Sequence, residues 1–114
     1  MGIFDIFSRT KVPQIDVREA NSRLKADKNV IIVDVRQPNE TSSGVVPGAK
    51  LIPLSEFGSR MNELPLDKPI LTICQSSHRS PFAARKLAKA GYDVTNVSGG
   101  MMAWRKAGLP IKKR

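Results

Sequence analysis

Cysteine and histidine each occur once in the 114-residue chain, as Cys74 and His78. One thiol excludes an intramolecular disulfide. One thiol with one imidazole is also too few soft ligands for a zinc cage built by the protein alone. A lone thiol fits a reducing compartment, so the expected localisation is cytoplasmic. Aromatics are scarce: four Phe, one Trp and one Tyr. They leave no Lys/Arg stripe interleaved with stacking rings, and that argues against a nucleic-acid partner. No apolar run approaches the ~20 residues a membrane-spanning helix needs, so no transmembrane segment is expected. The opening stretch Met1–Phe7 is interrupted by Asp5 and has no basic leader, which makes a poor signal peptide.

Acidic residues are the minority, 10 against 19 Lys and Arg, for a net charge of +9. The basic residues are spread along the chain apart from Lys112, Lys113 and Arg114, so most of this charge reads as a solvated surface. Such a surface raises the local concentration of small anions and acidic partner proteins. Apolar residues at 40% and charged residues at 25% are globular composition. The length suits one domain, with a leader over 1–11, a domain over 12–111 and a basic tail over 112–114. In the leader, Ile3, Phe4, Ile6 and Phe7 would share one side of a helical turn, either docked on the domain or as a weak interfacial anchor.

Asp16 with Glu19 three residues later has the form of a helix start, and Val17, Ala20 and Leu24 repeat at helical spacing. Val30–Val33 is a continuous β-branched run leading into Asp34-Val35-Arg36. A strand apolar on both faces belongs in a parallel sheet covered by helices. Ile70–Ile73 is a second such run, and Ala49–Ile52 and Val94–Val97 are shorter strand candidates. Residues 37–48, rich in Pro, Gly, Ser and Asn, read as a loop, while 55–64 should hold one or two short helical turns. The clearest helix follows the second run, with Ser80 as N-cap, Pro81 at the first helical position and Gly91 past the end. A last short helix is expected over 101–107. Strands alternating with helices give an α/β fold.

The chemistry concentrates where the second buried run ends at Cys74. A polar loop follows, and the capped helix begins as that loop closes. In open α/β sheets the carboxyl ends of strands are where ligands bind. A loop curling from a strand into a helix start turns successive N–H groups toward its centre, forming an anion nest. The helix terminus adds partial positive charge, and Arg79 adds a permanent cation with a planar donor fork. All three favour a thiolate, so Cys74 is the candidate nucleophile, with a depressed pKa. Gln75, Ser76, Ser77, His78, Arg79 and Ser80 are the candidate substrate-binding residues. A free cysteine is often just a small buried hydrophobe, but the unbroken polar run after Cys74 argues against that here. His78 stays open between an exposed loop side chain and a proton donor or selectivity element. Asp34, Arg36 and Glu40 read as a structural charge and hydrogen-bond set around the loop, and Trp104 as a core anchor.

Cys74, four intervening residues and then Arg79-Ser80, set between a strand and a helix, resembles the active-site loop of the single-domain rhodanese (sulfurtransferase) family. Asp34-Val35-Arg36 with Glu40, then Gly44-Val45-Val46-Pro47-Gly48-Ala49, is similar to the family's Asp-x-Arg…Glu and Gly-His-Ile-Pro-Gly-Ala segments. Leu87, Gly91-Tyr92 and Gly99-Gly100…Trp104…Gly108-Leu109-Pro110 are similar to its C-terminal signature. The resemblance implies a rhodanese-like α/β fold, a mainly parallel sheet of about five strands with helices on both faces. It further implies that Cys74 takes a sulfane sulfur from a small anionic donor such as thiosulfate, carries it as a persulfide and passes it on. No cofactor and no metal are implied. With no second cysteine to resolve the persulfide, the acceptor must be external: cyanide, a small thiol or a partner protein.

This chain departs from the family pattern at several positions. Ser77 stands where a Gly is common, and a positive φ there would cost about 1 kcal/mol or more. Val45 stands where His is common and Thr41 where an aromatic is frequent, which bears on substrate preference. Two enzymatic or binding alternatives compete: a non-enzymatic rhodanese-fold binding module, and a thiolate phosphatase or arsenate reductase. The latter enzymes resemble Cys-x5-Arg, a wider nest than the four-residue spacing here. A redox sensor acting through Cys74 is a third option.

Overall fold

The computed structural model describes residues 11–113, so the expected leader lies outside the described residues except for Lys11. The two β-branched runs become the centre of the sheet, β2 (Ile31–Asp34) and β4 (Ile70–Ile73), paired in parallel from Ile31↔Ile70 to Asp34↔Ile73. β1 (Gln14–Ile15), β3 (Lys50–Leu51) and β5 (Val94–Val97) complete a five-stranded parallel sheet in the order β1-β5-β4-β2-β3. Side chains alternate across it, as the pleat requires. Val33, Val35, Ile70 and Cys74 face one layer, while Ile32, Leu71 and Ile73 face the other.

Helices cover both faces. The Cys74 face carries α4 (Ser80–Lys89), through Ala83, Ala84 and Leu87, and the short α3 (Phe57–Arg60), through Phe57. The opposite face carries α1 (Val17–Ala26) and α5 (Gly100–Lys106), through Val17, Ala20, Met101 and Trp104. Asp16 caps α1 as its spacing predicts, accepting from the Glu19 N–H at 2.9 Å. Trp104 is fully buried, with Nε1 donating to the Pro110 carbonyl at 2.8 Å, as a core anchor should. The α/β fold with a parallel sheet and two helical layers is therefore the expected one.

Two local expectations need correction, and one strand was not foreseen. The 37–48 segment is not all loop, because α2 (Pro38–Thr41) forms within it. Pro38 suits a first helical position, and the Glu40 carboxylate reaches back to the Gln37 N–H at 3.0 Å. Ser80 does not cap α4. Arg79 occupies the cap position with αR backbone angles, so Ser80 is already helical and its hydroxyl is free to turn toward Cys74. The edge strand β1 is a two-residue pairing too short to show any period. At the other end Lys112 pairs backbone to backbone with Val45, so the chain stays on the domain into the expected basic tail.

The order places the site. After β2 the chain crosses to one edge, β3, whereas after β4 it crosses toward the other, β5. The carboxyl ends of β2 and β4 therefore border a topological switch point, where open α/β sheets leave a crevice. Cys74 follows directly on β4, and Val35-Arg36 on β2.

Candidate active site

Cys74 points to the α4 face, directly under the start of that helix, and has no exposed surface. Its surroundings are divided. Its side chain belongs to the apolar layer that also holds Val35 and Ala83. The backbone N–H groups of Ser76, Arg79 and Ser80 and the Ser80 hydroxyl are placed to bond the sulfur. Burial pushes the Cys74 thiol up, but these four donors outweigh it and hold the thiol below its ordinary value. The Ser80 Oγ is buried with no hydrogen-bond partner in the resting arrangement. A thiolate on Cys74 is the acceptor within its reach.

The loop is held in shape from outside. The Cys74 and Gln75 carbonyls accept from the N–H groups of Met101 and Met102 at 2.8 and 3.0 Å, in the first turn of α5. With its carbonyls drawn to α5, the loop can turn its amides inward. That grip demands close backbone approach: a Cβ at Gly100 would collide with the Cys74 carbonyl oxygen and lie 2.6 Å from that of Gln75. Ser77 takes φ 68°, the only positive φ at a non-glycine among the described residues. The strain anticipated for a serine at this place is therefore present.

The charged set falls into two linked pairs. Arg36 is buried and bonds the Asp34 carboxylate at 2.8 to 3.1 Å. It also donates to the Gly44 carbonyl at 2.9 Å, to the Glu40 carbonyl at 3.1 Å and, more weakly, to Gln75 Oε1 at 3.5 Å. Arg79 forms a two-bond fork with Glu40 at 2.5 and 2.7 Å. That fork holds the Glu40 carboxyl down at about 2, burial opposing and the Gln37 N–H assisting. The Arg79 guanidinium, expected from sequence to favour the thiolate with its cation and donor fork, directs that fork at Glu40. What Arg79 gives the sulfur most directly is its backbone N–H. His78 is exposed, with Nδ1 2.8 Å from Ser76 Oγ. No cluster of His, Cys, Asp and Glu able to hold a metal occurs among the described residues.

Residues 10–107 match the family described as the rhodanese-like domain. The chain belongs to the rhodanese-like family. It is 38% identical over 101 residues to a protein named sulfurtransferase from Allochromatium vinosum, covering 88% of this chain and 94% of that one. It is 33% identical over 81 residues to thiosulfate sulfurtransferase GlpE of Pseudoalteromonas translucida, covering 70% and 77%. Among solved structures, a rhodanese-related protein from Thermoplasma volcanium superposes with a TM-score of 0.84 at 28% identity, over 90% of this chain and 99% of that one. A rhodanese-like domain protein from Staphylococcus aureus gives 0.80 at 36% identity, over 90% and 100%. The relatives and the fold make a sulfurtransferase-like role the coarse assignment for this rhodanese-like chain.

Sequence reasoning missed Asn96. It sits fully buried on β5, takes a hydrogen bond from Thr72 at 3.0 Å and donates to Ser77 Oγ at 3.2 Å. The available signal was a carboxamide inside an otherwise buried strand run, which must find partners. The part played by Gly100 was hidden for another reason: its neighbour is a carbonyl some twenty-five positions away in sequence, which no local pattern registers.

Proposed function

We propose that the protein is a persulfide-forming sulfurtransferase in which Cys74 is the nucleophile and Gln75 to Ser80 bind the donor and the transferred sulfur. The observation that carries this reading is the ring of donors around one sulfur: the Ser76, Arg79 and Ser80 N–H groups and the otherwise unpartnered Ser80 hydroxyl. Donors fixed before reaction stabilise charge without reorganising when it forms.

With thiosulfate as donor, the Cys74 thiolate attacks the outer, sulfane sulfur. A new S–S bond forms as the donor's S–S bond breaks, and sulfite leaves with that electron pair. The outer sulfur then sits among the loop amides. An external nucleophile, such as cyanide or a thiolate, attacks it, and Cys74 departs as the thiolate that began the cycle. The four-residue span from Cys74 to Arg79 supports sulfur over a tetrahedral oxyanion, because a shorter loop makes a tighter nest.

Incubation with thiosulfate should add the mass of one sulfur atom to the intact protein. Cyanide should remove it, and Cys74→Ala should prevent it. An adduct that persists in Cys74→Ala, or hydrolysis of an aryl phosphate faster than sulfur transfer, would overturn the assignment.

A further inference from the structure

We infer that Asn96 is a positioning residue for the Cys74 loop, holding through Ser77 the left-handed turn that brings the loop amides onto the sulfur. The chemistry this serves rests on the sulfur-transfer reading above; the geometry does not.

The amides around Cys74 lie on both sides of Ser77 in the chain, with Ser76 before it and Arg79 and Ser80 after. A single left-handed residue between right-handed neighbours is what makes N–H groups converge on one point. Ser77 takes the left-handed φ, 68°, between neighbours whose φ is not positive. Glycine would adopt this conformation freely, whereas a serine needs a local interaction to hold it there. Asn96 supplies one, with Nδ2 3.2 Å from Ser77 Oγ.

The carboxamide is not free to turn away. Asn96 stands opposite Thr72 in the β4–β5 register, and its Oδ1 accepts from the Thr72 hydroxyl at 3.0 Å. The amino end, Nδ2, then faces Ser77, and its second hydrogen reaches Gln14 Oε1 at 3.3 Å. A fully buried side chain is thereby pinned at three points, one of them the loop. Glycine at 77 would meet the same turn without Asn96, so a serine here makes the loop depend on β5.

The test reads the Cys74 thiolate by its ultraviolet absorbance against pH, supported by the rate of persulfide formation from thiosulfate. Asn96→Ala removes the donor. Ser77→Ala removes the acceptor but keeps the Cβ that strains the turn, and reads the same bond from the loop should Asn96→Ala fold poorly. Each should move the titration midpoint to higher pH and slow persulfide formation about tenfold. Ser77→Gly should titrate close to the parent. In that background Asn96→Ala should shift the midpoint much less than it does alone, a coupling that simple loss of packing would not produce. The other ionisable groups around the loop, the Arg79–Glu40 and Arg36–Asp34 pairs and His78, are left in place in every variant.

An unshifted midpoint in both Asn96→Ala and Ser77→Ala, or an undiminished effect of Asn96→Ala beside Ser77→Gly, overturns the inference. The thiolate titration needs no sulfur donor. A parent that forms no persulfide while these shifts persist would therefore sink the sulfur-transfer reading alone.

Discussion

Ser80 carries two opposite requirements at one atom. Its hydroxyl is buried with no hydrogen-bond partner in the structure, and a thiolate on Cys74 would accept from it strongly. An unmet buried hydroxyl lowers stability, and the same group aimed at an anion lowers the energy of the charged form. Ser80→Ala should therefore separate stability from reactivity. Urea unfolding at a pH low enough to keep Cys74 a thiol should show a protein as stable as the parent or slightly more so. The rate of Cys74 alkylation against pH should meanwhile shift to higher pH, because a donor to the thiolate is gone. A variant that loses stability and keeps the parent's alkylation profile would show that the hydroxyl serves packing and not the sulfur. Arg36 contrasts with it. Its charge is buried but fully engaged by Asp34 and two backbone carbonyls, so it braces the loop without facing the reacting atom.

Between elements, the loop is tied to four neighbours: α5 by the Cys74 and Gln75 carbonyls, β5 by Ser77, α2 by Arg79 and, more weakly, the segment after β2 by Gln75 to Arg36. The α2 tie is the one that titrates. Glu40 is held at about 2 by Arg79, below the ordinary 4.5 of a free carboxyl. A depressed carboxyl contributes stability above its unfolded pKa and loses it as pH falls toward its folded one. The advantage of the parent over Glu40→Gln in thermal melting should then be constant above about pH 5 and disappear between about pH 4.5 and 2. An advantage unchanged across that range would mean the fork contributes shape and no charge.

These ties also mark how far the sequence could be read. The β2 and β4 runs, the start of α1 and the helix after Cys74 were legible because each is set by neighbours within four residues or by a continuous apolar stretch. The resemblance around Cys74 pointed to the loop for the same reason. α2 was obscured because Pro38 and Glu40 stand in a stretch whose composition reads as loop. Asn96, Gly100 and the commitment of Arg79 to Glu40 are contacts between distant segments. They exist only once the parallel order brings β5, α5 and α2 to the same end of the sheet.

At the scale of the whole molecule, the decisive quantity is charge. The net +9 is distributed along the chain, while the acidic groups beside the loop, Asp34 and Glu40, are each matched by an arginine. A small anion approaching the molecule is drawn by its net positive charge, and the paired carboxylates beside the loop add no negative excess to oppose it. Such a field acts on encounter, and it weakens as salt shortens its reach from about 30 Å at 0.01 M to about 8 Å at 0.15 M. The fixed hydrogen bonds around Cys74 act at contact and are screened far less. Raising chloride over that range should then raise the apparent KM for thiosulfate severalfold and leave kcat nearly constant. A thiosulfate KM that stays flat over the same titration would show that the basic surface plays no part in gathering the donor, leaving the loop donors to account for all of its binding.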